Sequence, residues 1–227
     1  MNKLQKIVAV LISTVLMALP ATALEFRVGI SAGLAGIEAT GTETLKDSAK
    51  KTSHSEHAVA VIPSFFTELA TDGGLGIGFD MVQGTADFDA KSKNNDNVAL
   101  SAAVVGNDTG TNKSAAEVDG LDTIYLIKKF SSGLLIKFGR TTADVNTIET
   151  LNSGTTYGNK SVDGTTIGLG WETSNDSGLF VRTTVESTNF DSVKLTGTQA
   201  GADTASFNVI DADIDMTMAK ISIGKAF

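Results

Sequence analysis

The chain of 227 residues has no cysteine, two prolines, two histidines and a single tryptophan, and its 26 acidic residues outnumber its 18 basic ones. Without cysteine there is neither a disulfide nor a thiolate metal site. Scarce proline beside 23 glycines suits continuous strands better than a proline-punctuated loop protein. The formal charge of −8 argues against nucleic acid as a partner. No apolar run reaches the ~20 residues of a spanning helix. The longest, Ile7 to Leu19, follows Lys3 and Lys6 and precedes Pro20 and Ala21-Thr22-Ala23. A short positive region, a brief apolar run and a small-x-small site are the marks of a cleaved secretory leader. Residues 1–23 are therefore expected to be a signal peptide, and 24–227 one mature domain. Removing Lys3 and Lys6 moves the formal charge of that domain from −8 to −10.

What the mature chain does contain is a rhythm of hairpins. Thr71-Asp72-Gly73-Gly74, Ser131-Ser132-Gly133 and Asn175-Asp176-Ser177-Gly178 are tight turn signals between alternating, β-prone runs. Longer polar stretches, 41–55, 90–116, 149–163 and 196–204, read as loops. Three short connections and four long ones make eight strands with both ends on the short-turn side. This predicts an all-β, antiparallel up-and-down transmembrane barrel, with short periplasmic turns and long extracellular loops. Alternation is clear in the first strand, where Phe26, Val28, Ile30, Ala32 and Leu34 oppose Arg27, Gly29, Ser31 and Gly33. In the third, Leu75, Ile77, Phe79 and Met81 oppose Gly76, Gly78 and Asp80. The sixth sets Ile167, Leu169 and Trp171 against Thr166, Gly168, Gly170 and Glu172. The seventh sets Leu179, Val181 and Val185 against Arg182, Thr184 and Glu186. One face is apolar and the other small or polar, which implies lipid outside and a polar lumen inside.

Trp171, Phe65, Phe130, Phe180 and Phe227 all lie near the short-turn end, where an interfacial aromatic belt is expected. Strand four, Val118 to Phe130, and the part of strand five near Arg140 alternate poorly, so a bulge or a shifted register is expected there. Tyr125 consequently fits either face, and so do Lys128 and Lys129. Arg27, Lys137, Arg182 and Lys220 point inward on this register, with Glu68, Asp80, Glu172 and Glu186. Their charges should pair, because an unpaired buried charge costs several kcal/mol. Asp211, Asp213 and Asp215 share the outward parity of Ile221, Ile223 and Phe227. They are candidates for sharing divalent cations with lipopolysaccharide phosphates at head-group height. Ser53-His54-Ser55-Glu56-His57 contains triad residue types, but neighbours in a strand point to opposite faces, so no catalytic residue is assigned. No cofactor-binding or metal-ligand set is assigned either, and no cofactor is expected.

The chain closes on an alternating strand, Lys220 to Phe227, that ends in phenylalanine. With the leader and the hairpin rhythm, this resembles the small eight-stranded outer-membrane barrels, the superfamily of the OmpA transmembrane domain and the OmpX and OmpW proteins. Lys225 departs from the apolar residue usual at the third position from the end. The resemblance implies residence in the bacterial outer membrane and reading of Ile221, Ile223 and Phe227 by the assembly machinery. It also implies outer-membrane lipid and lipopolysaccharide as surroundings, and a monomer. The expected function is a non-enzymatic barrel with a mostly plugged lumen and surface interactions through its outer loops. A narrow, porin-like channel and a lipid A-directed hydrolase are the alternatives.

Overall fold

Glycine in the left-handed region closes the hairpins at one end. Gly74, Gly133 and Gly178 have φ of 75°, 92° and 81°, and their amides donate to the carbonyls of Thr71, Phe130 and Asn175. These are the three turns expected from sequence. Asn175 adds an Asx turn, its Oδ1 accepting the amides of Ser177 and Leu179 at 3.1 Å.

The computed structural model describes residues 24–44, 51–95, 99–101, 104–107, 110–150, 156–200 and 207–227. The signal peptide expected at 1–23 lies outside them. The strands are β1 (Leu24–Thr44), β2 (Lys51–Thr71), β3 (Leu75–Val82), β4 (Ala86–Asn95), β5 (Ala99–Ser101) and β6 (Val104–Asn107). They continue with β7 (Gly110–Lys129), β8 (Leu134–Thr150), β9 (Lys160–Ser174), β10 (Leu179–Phe190), β11 (Val193–Ala200) and β12 (Phe207–Ala226). An antiparallel ring runs β1-β2-β3-β7-β8-β9-β10-β12 and closes from β12 back onto β1. β4 continues β3 along β7, and β11 continues β10 along β12, so the wall has eight positions. β5 and β6 form a separate hairpin. The closing seam is tied at its tip, where Phe227 N donates to Phe26 O at 2.9 Å.

The long loops expected from sequence are corrected: strand structure occupies much of them. β1 runs to Thr44 and β2 starts at Lys51, β4 reaches Asn95, and β8 reaches Thr150. The barrel is taller than a bilayer crossing requires. Irregularity in strand four resolves into a β-bulge between Asp119 and Asp122, with Gly120 at φ 58°. The extra residue switches parity, so that Val118 below the bulge in sequence and Leu121, Tyr125 and Ile127 above it all face the interior. Strand five alternates without interruption through Arg140: Lys137 and Thr141 are buried, and Phe138 is exposed.

Burial confirms the outward-pointing apolar face in the lower two-thirds of the wall. Ile30, Leu34, Phe79, Met81, Ile167, Leu169, Trp171, Val185, Ile221 and Ile223 are exposed on the outside. Inside, three glycines face an aromatic ring directly across the ladder: Gly29 opposite Phe66, Gly78 opposite Tyr125 and Gly224 opposite Phe180. A Cβ at Gly224 would stand 2.2 Å from the Phe180 ring, so the rings lie flat against the wall only because those positions carry no side chain.

Candidate functional site

Two charge clusters fill the turn-proximal interior. In the lower one, Arg182 Nη1 donates to Glu68 Oε1 at 2.6 Å and its Nη2 to Glu172 Oε2 at 2.7 Å. Arg27 Nη1 reaches Glu68 Oε2 at 3.1 Å, and its Nη2 pairs with Glu172. Lys129 Nζ completes the shell of Glu172 at 2.8 Å, and Glu25 caps Arg27 from the rim at 2.8 Å. Phe180 lies 4.3 Å from the Arg27 guanidinium carbon, and Phe66 lies 5.2 Å from that of Arg182. Arginine suits this place, since its flat fork pairs with two carboxylates while its faces rest on rings.

The upper cluster joins Lys137 to Glu186 at 2.9 Å and to Asp80 at 3.6 Å, while Lys220 pairs with Asp80 and lies 3.5 Å from Glu186. Tyr125 links the two: its hydroxyl donates to Glu68 at 2.7 Å and Lys137 Nζ sits 4.0 Å from its ring centre. All eight charged side chains assigned inward from sequence are buried, and they fall into these two groups. Of the two lysines left open, Lys129 takes the inward place, and Lys128 donates instead to the turn carbonyl of Gly73 at 2.6 Å.

One open aromatic choice is resolved and one aromatic expectation is corrected. Tyr125 belongs to the interior, because the bulge at Gly120 sets its parity. Phe180 lies at the short-turn end but points inward, stacked under Arg27, and is not part of the outer belt. Phe65, Phe130, Trp171 and Phe227 are exposed there as expected. Lys225 extends to the turn, donating to Ser177 O at 2.9 Å with its ammonium 5.6 Å from the Phe227 ring.

Above the charges the interior changes character. A hydroxyl row links Thr123, Thr141, Thr166 and Thr188 across β7, β8, β9 and β10. Beyond it the filling is hydrocarbon: Ile37, Val118, Leu121, Phe190, Ile214 and Met216 belong to one buried cluster with Ala35, Ala58, Ile62, Val145, Val162, Val193 and Met218. A lumen polar along its whole length, as the sequence suggested, is therefore corrected for the half away from the turns.

The outside reverses as well, along a line that runs obliquely to the turns. Successive strands carry His57, Glu38, Asp215, Asn189, Thr165 and Arg140 in one cross-strand row. Below that row the outer face is apolar, and above it stand Thr40, Thr42, Asp211, Asp213, Asp163 and Asp144. On β12 the apolar-side stretch runs from Thr217 to Phe227, which at ~3.4 Å per residue and ~45° of tilt spans about 25 Å. That is the height of the hydrocarbon band of such barrels. The barrel thus has lipid-type polarity below the row and water-soluble polarity, apolar inside and polar outside, above it.

Asp211, Asp213 and Asp215 lie exposed above or in this row. Asp213 accepts from Ser192 Oγ and Asp215 from Asn189 Nδ2, each at 2.6 Å. Among the described residues no three carboxylate or imidazole side chains converge as a metal-ligand set. Ser53 and Ser55 pair with the hydroxyls of Thr42 and Thr40 at 2.8 and 2.9 Å, and His54 sits at the opposite parity.

No family model and no curated protein matches this chain. Among solved structures it is similar to the outer membrane protein OprG from Pseudomonas aeruginosa, with a TM-score of 0.53 at 12% identity over 91% of this chain and 97% of that one. The outer membrane protease OmpT from Escherichia coli aligns with a TM-score of 0.48 at 6% identity, over 89% and 97% of the two chains. Ail, the attachment invasion locus protein of Yersinia pestis, aligns at 0.40 and 9%, over 89% and 99%. The likeness to OprG is one of fold: this chain folds as a small outer-membrane-type β-barrel.

Proposed function

We propose that the chain is an integral outer-membrane barrel that is closed to ions and solutes and acts through the surface it raises above the bilayer. The observation that carries this reading is the pair of stacked plugs of opposite chemistry. An ion that threaded the charged clusters would next meet the hydrocarbon filling around Ile37, Leu121, Phe190 and Ile214. Moving an unpaired ion into such surroundings costs on the order of tens of kcal/mol before relaxation. A narrow channel is the weaker alternative for that reason. A lipid A-directed hydrolase is weaker too, since Ser53 and Ser55 already bond to Thr42 and Thr40 and His54 stands at the opposite parity.

The remaining expectations follow from the same reading. Outer-membrane lipid and lipopolysaccharide would surround the band, with Asp211, Asp213 and Asp215 at head-group level. The assembly machinery would read Ile221, Ile223 and Phe227, all exposed on the outer face of the closing strand, and Phe227 is 71% accessible. The protein would work as a monomer, without cofactor or catalysis. Planar-bilayer recording of the refolded mature chain, with folding verified by a heat-modifiable gel shift, tests the closed state. We expect a silent bilayer; discrete conductance steps that change on Glu172→Gln would overturn it in favour of a channel.

A further inference from the structure

The lipid-facing wall is not uniformly convex. Across β1, β12, β10 and β9 it carries a groove of about 860 Å³. Ala32, Ala219 and Thr183 present small side chains there, alternating with the larger Leu34, Ile221, Val185 and Trp171. The ladders place these residues in two adjacent rows, Leu34, Ala219, Val185 and Leu169 in one and Ala32, Ile221, Thr183 and Trp171 in the row nearer the turns. The small positions thus form a diagonal from Gly36 through Ala219 to Thr183, flanked by Leu34 and Ile221 on one side and Val185 on the other. Between the groove and the polar row of Glu38, Asp215 and Asn189 lies a single row, which at this place consists of Gly36, Thr217 and Ser187. No large side chain shuts the groove off from head-group level.

We infer that this groove is a binding site for one acyl chain of a membrane lipid whose head group rests at the Glu38–Asp215–Asn189 row. The inference rests on the membrane reading above, since it takes the groove to lie in hydrocarbon. Its volume is within the ~300–1,000 Å³ of ordinary small-molecule sites. Thirteen residues line it, whereas a stable protein interface needs roughly 20–30 residues on each side. The groove therefore suits a narrow flexible chain better than a second barrel. Its small side chains lie recessed among large ones, so a methylene chain there gains dispersion contacts on two flanks that lipid against a smooth wall does not. The opening toward Gly36 gives the chain a route to its head group.

Native mass spectrometry of the full mature protein, released into a mild detergent from dimyristoylphosphatidylcholine vesicles, reads the site directly. We expect the wild type to keep one lipid and the Ala32→Phe/Ala219→Phe variant, whose rings fill the groove, to lose it. The milder Ala32→Leu/Ala219→Leu variant gives the same readout should the first fold poorly, and Ile30→Phe, outside the groove, should keep the lipid. A bare wild type, or retention unaffected by both groove variants, would overturn the inference. So would a dimer mass that the groove variants abolish, because a second copy would then be the occupant. Failure of the wild type to enter vesicles, seen as no heat-modifiable shift and no blue shift of Trp171 emission, would instead sink the membrane reading beneath it.

Discussion

Neutralising Glu68 should be among the most damaging single changes available in the interior. Its two oxygens accept from Arg182 at 2.6 and 2.8 Å, from Arg27 at 3.1 Å and from the Tyr125 hydroxyl at 2.7 Å. Glu68→Gln preserves shape and an acceptor for Tyr125 but removes one of two carboxylates that face Arg27, Arg182 and Lys129. Glu172 alone would then balance three cations, with Glu25 only at the rim. Removing one member of a buried ion pair costs about 3–5 kcal/mol, because the partner's charge stays buried. With a urea slope of roughly 1–3 kcal/mol per molar, the unfolding midpoint should fall by at least about 1 M. Urea titration in lipid vesicles, followed by Trp171 fluorescence and by the heat-modifiable shift, measures it. Glu68→Gln combined with Arg182→Met removes one charge of each sign and should recover a large part of the loss. A midpoint shift below about 0.2 M for Glu68→Gln would mean that water screens these charges, and the filled interior would be wrong.

The reversal of polarity predicts opposite tolerance on the same face of one strand. Ile30→Arg, below the polar row, should cost about 2–4 kcal/mol in refolding titrations, and Thr40→Arg, above it, should stay within about 0.5 kcal/mol; equal costs would refute the boundary. Gly224→Ala should destabilise the barrel by about 1–3 kcal/mol through collision with the Phe180 ring, and adding Phe180→Leu should restore part of that. Were the alanine variant as stable as the parent in the same titration, the ring could not be resting against that backbone.

How much of this was legible in the sequence depended on the contrast between neighbouring residues. In the membrane band a large apolar side chain alternates with glycine, a hydroxyl or a charge, so Ile30, Ile77, Leu169 and Val185 betray strand, face and lumen together. The same contrast places Arg27, Glu68, Asp80 and Lys220 inside. On β1 the inward residues are apolar from Ala35 on and the outward ones polar from Glu38 on, so Leu34 and Ala35 stand side by side where the two patterns overlap. Taken over the whole of β1 the patterns cancel, and the far half looks like a polar loop. Ile37, Ile214 and Met216 were legible only to a reading that allowed the phase to shift. Strand four failed for a different reason: Ile124 to Ile127 is apolar at every position, and the one residue that sets its parity is Gly120, whose φ no periodicity reveals.

The change of polarity on the adjoining strands β2, β1 and β12 also acts as a depth stop. Sinking would immerse Glu38 and Asp215 in hydrocarbon, and rising would begin to bare Val59 and Val61 to water. Both displacements are opposed, so the molecule has little freedom to bob along the bilayer normal. From that stop β1 continues to Thr44, which at ~3.4 Å per residue and ~45° of tilt lifts its end about 15 Å clear of the lipid. Whatever the loops meet, they meet at a constant standoff that the wall itself enforces, independent of the length of the surrounding lipids' head groups.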